Sequence, residues 1–282
     1  MWWGLSPLLF HAMRHFHPLE VTAHRILWSL LLLLLFCWMT GRLPALRMAL
    51  ASRSTGTGGE RWRLMFGAIS ITCNWLIFVY AVAVGRIVEC SLGYFIYPLM
   101  MVVASRLFLK ERVSGISWCA VCLAAVGVLI KTIAAGVVPL MGLMVATTFV
   151  LYTLTGRMRK AGPITGLTAE TLFLAPFALC GILIAEAAGL GRMQAGETMD
   201  ILLVICTGFI TVIPLILHIT STRTIGAALT GMLFYLAPSL QLVLGTVLYG
   251  EAFHLADAVA FGLIWLAIGL YSFGHFRGLQ AR

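Results

Sequence analysis

LGYFIYPLMMVVASRLFLKER, running from Leu92 to Arg112, is an apolar stretch with a proline at its centre and a tight cluster of charge at its end. A second stretch, LFYLAPSLQLVLGTVLYGE from Leu233 to Glu251, aligns with it at a constant offset of 140 residues (238 − 98): Pro98 meets Pro238, Val103 meets Val243 and Glu111 meets Glu251. Each proline lacks an amide proton and leaves the carbonyl four residues earlier without its helical partner, which means Tyr94 in one stretch and Phe234 in the other. In lipid such a break is tolerated where neighbouring protein or a water-filled cavity satisfies the freed group.

Working outward, the whole chain has this apolar character. Of its 282 residues 61% are hydrophobic and 10% charged, against roughly one quarter charged in a soluble domain. Apolar runs occur at approximately 1 to 13, 19 to 40, 64 to 84, 90 to 107, 113 to 130, 138 to 156, 166 to 187, 201 to 220, 227 to 248 and 257 to 274. Most approach the roughly 20 residues that cross a hydrocarbon core as helix. The first is stunted: at about 1.5 Å per residue it reaches only about 20 Å, so the expectation is a short first helix or a start that lies upstream. MWWGLSPLLF has neither the basic region nor the small-residue cleavage site of a signal peptide.

The expected fold is therefore an all-α integral membrane protein of ten transmembrane helices. The two aligned stretches are the fourth helix of a first group of five (residues 1–132) and of a second group of five (residues 133–282). Five is odd, so the second group enters the membrane in the opposite sense, giving two inverted five-helix repeats in one compact bundle. Interruptions at corresponding positions of inverted repeats are the pattern of secondary-transporter binding sites.

The net charge of +9 does not mark a nucleic-acid binder, because the basic residues lie in short connections rather than along one face. Fourteen of the nineteen Lys and Arg residues fall in one set of alternate connections, among them Arg42, Arg61, Arg106, Lys110, Arg157, Lys160, Arg223 and Arg277. The other set holds Arg14, Arg25, Arg86, Lys131 and Arg192. Positive charge accumulates on the cytoplasmic side, which sets both termini there, with SRSTGTGG (residues 52–59) as a flexible cytoplasmic loop. Seven cysteines sit within or beside apolar runs, and Cys119-x-x-Cys122 has no second pair or neighbouring histidine to complete a metal site. No cofactor or metal is expected.

Several tracts resemble the RarD family, in the EamA branch of the drug/metabolite transporter superfamily. They are HRILWS (His24–Ser29), NWLIF (Asn74–Phe78), ECSLGYFIYP (Glu89–Pro98), LYTL (Leu151–Leu154), TGLTAETL (Thr165–Leu172), Pro214-Leu215, YLAPSLQ (Tyr235–Gln241) and Gly250-Glu251. The resemblance runs almost end to end. It implies a ten-helix permease of the bacterial inner membrane with a central cavity and an exporter role. Two departures stand out: Trp3-Gly4 falls almost at the start, where the family has a longer opening helix, and Tyr97 precedes the first proline, where the family commonly has asparagine. If that asparagine contacts substrate, specificity here differs.

Ionisable groups inside a membrane are functional candidates by default. Glu20 and His24 are four residues apart on one helix face, next to Arg25; they either anchor the second helix at the outer interface or act as a gate or coupling group, with protons as the candidate ion because histidine beside a carboxylate titrates near neutrality. Glu89 either complements the dipole of the fourth helix, with Arg86 in reach, or joins that gate. Glu111 and Glu251 read as the same dipole device at the last helix of each half. Asn74 makes a helix–helix hydrogen bond or contacts substrate, and Glu170 is an interhelical partner or an interfacial charge. Tyr94, Pro98 and Met101 in one half and Tyr235, Pro238 and Gln241 in the other share the proline neighbourhood, and Tyr152 and His218 are further pathway candidates. Rings with one amide suit a partly apolar small molecule, an amino acid, amine or aromatic metabolite.

The expected function is a secondary transporter, an exporter or permease moving a small organic solute or drug-like metabolite across the lipid bilayer by alternating access. No G-x-x-x-x-G-K-[ST] motif supports ATP-driven transport. The alternatives are an integral-membrane enzyme, for which H-E-x-x-H and G-x-S-x-G are both lacking, and a non-transporting membrane sensor.

Overall fold

The computed structural model describes residues 2–51, 58–84, 87–136, 140–189, 191, 198–247 and 254–280. The described residues form twelve helices: α1 (Trp2–Ala12), α2 (Pro18–Met39), α3 (Leu43–Ala51), α4 (Gly58–Ala83), α5 (Ile87–Phe108), α6 (Gly115–Ala135), α7 (Leu140–Met158), α8 (Pro163–Ala187), α9 (Thr198–Thr224), α10 (Ala227–Leu233), α11 (Leu236–Val247) and α12 (Leu255–Gln280). Helix is present at each of the ten expected segments. Six of these helices, α2, α4, α6, α7, α8 and α9, are long and apolar enough to cross a membrane, and shorter apolar helices lie within α5, α10–α11 and α12.

Local chemistry sets the helix ends. Pro18 opens α2, where its missing amide proton costs nothing, and His17 Nδ1 accepts from Leu19 N at 3.3 Å. Ser114 caps α6 through Ser117 N at 3.1 Å, and Gly136 closes that helix at φ +67°, a left-handed conformation that glycine adopts without a Cβ clash. Pro163 starts α8 just after Gly162.

Two features differ from the expected spans. The connection after α2 carries the additional helix α3, whose Leu46 is buried with Leu64 and Ala169; residues 52–57 of the expected loop lie outside the described residues, and Gly58 and Gly59 already belong to α4. The ninth span is broken into α10 and α11 at Phe234–Tyr235. Pro238 thus falls in the first turn of α11, where an amide would have no helical acceptor in any case. The Phe234 carbonyl is satisfied locally, accepting from Ala237 N at 3.0 Å. Pro98, by contrast, lies within α5, which continues through it.

The described interior is built of four apolar clusters. The largest joins Ile26 of α2, Trp75 of α4, Tyr97 and Met101 of α5, Phe149 and Tyr152 of α7, Leu215 of α9 and Phe234. A second packs α5 and α6 against α10 and α12 through Phe95, Val102, Met232, Tyr235, Phe261 and Ile264. Large apolar groups such as Leu31, Trp38, Ile69, Phe177, Ile184 and Leu266 point outward. That inversion of the soluble pattern is what a lipid surround requires.

Candidate functional site

The centre of the bundle holds a narrow cavity with about 30 Å³ of room for water-molecule centres, enough for one or two waters. Trp3, Ser6 and Phe10 reach it from α1, Arg25 from α2, Asn74, Trp75 and Phe78 from α4, and Tyr94 from α5. Phe149 of α7, Leu215 of α9, Phe234 at the helix break and Ala237 of α11 complete the wall.

Among the described residues Arg25 is the one charged group that lines the cavity. It is only 4% exposed, far from the interfacial anchor that its place near the start of α2 suggested. Its Nε donates to Thr211 Oγ1 at 2.6 Å. The guanidinium carbon lies 5.1 Å from the Phe10 ring centre and 4.6 Å from that of Trp75, a cation–π arrangement on two sides.

An aromatic wall faces it. Trp3 meets Phe149 edge-on at 5.5 Å and lies 5.5 Å from Phe234 and 5.7 Å from His218. Tyr94 touches Phe78 and Phe234 at 5.7 and 5.9 Å. Behind this wall His218 Nε2 is 3.2 Å from Tyr97 Oη and 3.0 Å from Thr153 Oγ1, while Thr153 donates to Phe149 O at 2.8 Å. These contacts join α5, α7 and α9 next to the cavity-lining Phe149.

The other sequence candidates separate into groups. Asn74 lines the cavity and also ties α4 to α7, its Nδ2 donating to Val145 O at 2.9 Å and Thr148 Oγ1 at 3.1 Å. Met101 is fully buried against Gly231 of α10, and Gly231 also approaches the Pro98 backbone. Tyr152 stacks on Phe149 at 6.1 Å. Tyr235 points away from the cavity, into the second cluster beside Phe95. Pro238 follows the lining residue Ala237. Glu20 faces an apolar lateral groove between α2, α4 and α8 instead of the centre, and His24, on the same helix, is buried with Nε2 unpartnered among the described residues. The side chains of Glu89 and Gln241, and all of Arg86 and Glu251, lie outside the described residues.

One end of the bundle is closed by polar clasps. Arg223 Nη2 of α9 donates to the carbonyls of Gly156, Arg159 and Ala161 at 2.8, 3.0 and 2.7 Å. Glu60 of α4 accepts from Lys160 N at 2.8 Å and Ala161 N at 2.9 Å. Just inside, Arg159 Nη1 pairs with Glu170 of α8, both buried, which resolves Glu170 as an interior ion-pair partner. Glu111 does not serve the helix that follows it, as its position suggested: Ser114 caps α6, and the Glu111 carboxylate caps α10 instead.

Trp3, Trp75 and Phe149 are cavity residues that sequence reading missed, and of Phe234 it singled out only the carbonyl. Aromatic residues in an apolar helix look alike whether they face a cavity, a neighbour or lipid. For Trp75 a signal existed, since it directly follows Asn74 in one of the tracts singled out. Among the described residues no group of three His, Cys, Asp or Glu side chains could hold a metal ion.

Comparison with known proteins agrees with this architecture. A crystal structure of a protein 20% identical superposes with a TM-score of 0.70 over 96% of this chain and 94% of the other, so the fold is shared. An uncharacterized transporter of Pseudomonas aeruginosa is 34% identical, covering 99% of this chain and 92% of that protein. One of Vibrio cholerae is 33% identical over 96% and 88%. Protein RarD of Escherichia coli is 29% identical over 95% and 89%. The model of the EamA-like transporter family matches residues 1–133. The chain, a multi-pass helical membrane protein, belongs to the EamA-like transporter family, with RarD proteins among its relatives.

Proposed function

We propose that the protein is a secondary transporter of the bacterial inner membrane that moves a small organic solute by alternating access. In this reading ten transmembrane segments form two inverted five-helix repeats, residues 1–132 and 133–282, with both termini cytoplasmic. The observation that carries it is the central cavity, to which both halves contribute: Arg25, Asn74, Trp75 and Tyr94 from the first, Phe149, Leu215 and Phe234 from the second.

Helix packing supports the repeat. Exchange α1 with α7, α2 with α8, α4 with α9, α5 with α10–α11 and α6 with α12. The packed pairs α2·α8, α5·α10 and α6·α12 map onto themselves. The pair α4·α7 maps onto α1·α9, α5·α7 onto α1·α11, and α2·α9 onto α4·α8, all of which pack. Among the described residues α3, an addition to the first half, packs on α8 without a mate in this scheme. Two halves related in this way can rock about a shared midplane site. The Glu60 clasp, which joins the first half to Lys160 and Ala161 of the second, is a contact that opening at the basic, cytoplasmic end has to part.

The test is reconstitution in liposomes, with uptake of amino acids, amines and aromatic metabolites measured with and without a pH gradient. Saturable flux of at least one solute is expected. Absence of flux for every solute under both conditions would sink the transporter reading, and flux indifferent to the gradient would remove proton coupling alone.

A further inference from the structure

We propose that the cavity recognises a small organic monocarboxylate, with Arg25 as the anion-binding group and the aromatic wall holding an apolar body; this rests on the transporter reading of the same cavity. Arg25 is buried, and the only hydrogen bond its guanidinium makes among the described residues is from Nε to Thr211. Among the described residues no carboxylate lies within 4 Å of it and no other charged residue lines the cavity. An uncompensated buried cation is costly, and faces of Phe10 and Trp75 recover only part of that cost. The contrast lies within the same bundle, where the buried Arg159 is paired with Glu170.

Three observations narrow the chemistry. The remaining N–H groups of Arg25 form a planar fork that matches a carboxylate in bidentate fashion. Among the described residues the site offers a single positive charge. That balance fits a monoanion. It disfavours an amine, which would place a second cation against Arg25. Trp3, Phe149 and Phe234 line the same cavity and supply apolar contact for the rest of the solute once the cavity, which in this conformation has room for only one or two waters, widens to admit it.

Equilibrium binding to the purified, detergent-solubilised protein tests this with three matched probes: 3-phenylpropanoate, 3-phenylpropanamide and 3-phenylpropylamine. The acid is expected to bind more tightly than the amide by about ten- to a hundredfold, as loss of a charge-assisted pair predicts, and the amine not at all. Arg25→Gln should erase the preference for the acid, and Arg25→Lys should retain part of it. The comparison within the wild-type protein needs no variant to fold. Failure of the acid to bind, binding of amide or amine as tight as the acid, or an undiminished acid preference in a folded Arg25→Gln protein would overturn the proposal. Because binding is read without flux, a protein that prefers the acid yet transports nothing would refute the transporter reading and leave this one standing. Flux with no preference for the acid would do the reverse.

Discussion

The carboxylate of Glu111, which follows α5, caps the start of α10 across the bundle: Oε1 lies 2.9 Å from Ala227 N and Oε2 3.1 Å from Ala228 N. A carboxylate at a helix N-terminus satisfies orphan amides and complements the dipole. Glu111→Ala should therefore lower stability by about 1 to 2 kcal/mol, and Glu111→Gln by less, since its amide oxygen still accepts. Thermal melting of the detergent-purified variants measures this. An Ala variant that melts with the wild type would mean the cap contributes nothing.

The Arg159–Glu170 pair makes a different prediction. Both side chains are buried, and Arg159 Nε and Nη2 and Glu170 Oε2 have no further partner among the described residues. Gly67 leaves the space: a Cβ there would lie 2.6 Å from Glu170 Oε1. Removing one partner strands a buried charge, so Arg159→Met or Glu170→Leu alone should cost about 3 to 5 kcal/mol. The double variant should lose much less than the sum, because no charge is then stranded. Additive losses in a double-mutant cycle would show that the two groups are not coupled.

His218 is held by two hydroxyls, Tyr97 Oη and Thr153 Oγ1. Tyr97→Phe leaves one of them and should cost about 1 kcal/mol. Adding Thr153→Val leaves the buried Nε2 with neither, and the pair should cost more than the two single changes together. Melting of the two single variants and the double variant reads the difference. An additive result would mean that the hydroxyls do not substitute for one another at the ring.

How far this site could be read without the structure depended on the kind of signal each residue carries. The spans were legible because lipid imposes length and apolarity on every crossing segment. The paired prolines were legible too, but their consequences differ. The chain breaks before Pro238 and leaves it in a first turn, whereas α5 runs on through Pro98. Which of these occurs is decided by packing of the neighbouring helices, and proline itself carries no mark of it. Glu111 illustrates the same limit: its distance along the chain pointed to α6, whereas its carboxylate reaches a helix more than a hundred residues away. Arg25 was visible as a charge near a helix start, but only the convergence of Phe10, Trp75 and Thr211 turns it inward. Phe149 carried no distinguishing pattern at all, and Phe234 was marked only by the carbonyl that Pro238 frees, which says nothing of where its ring points.

The glycine of the SLGYF tract has a steric explanation that yields a sharp test. Gly93 of α5 is buried against Gly142 of α7. A Cβ at position 93 would overlap the Gly142 carbonyl oxygen and lie 2.7 Å from the Gly142 Cα. The obstacle is backbone, so no rotamer change relieves it, and α5 and α7 would have to separate. Close approach of this kind is how small residues join helices in a membrane, where packing replaces the hydrophobic drive. Separation would also move Tyr94 and Tyr97 on α5 relative to Phe149 and Thr153 on α7, which carry the cavity wall and the His218 support. Gly93→Ala should therefore reduce both melting temperature and solute binding, whereas Gly262→Ala, with open space around its Cβ, should leave both unchanged. Wild-type behaviour of Gly93→Ala would show that the two helices have slack at their point of closest approach, and the cavity geometry would then not depend on that contact.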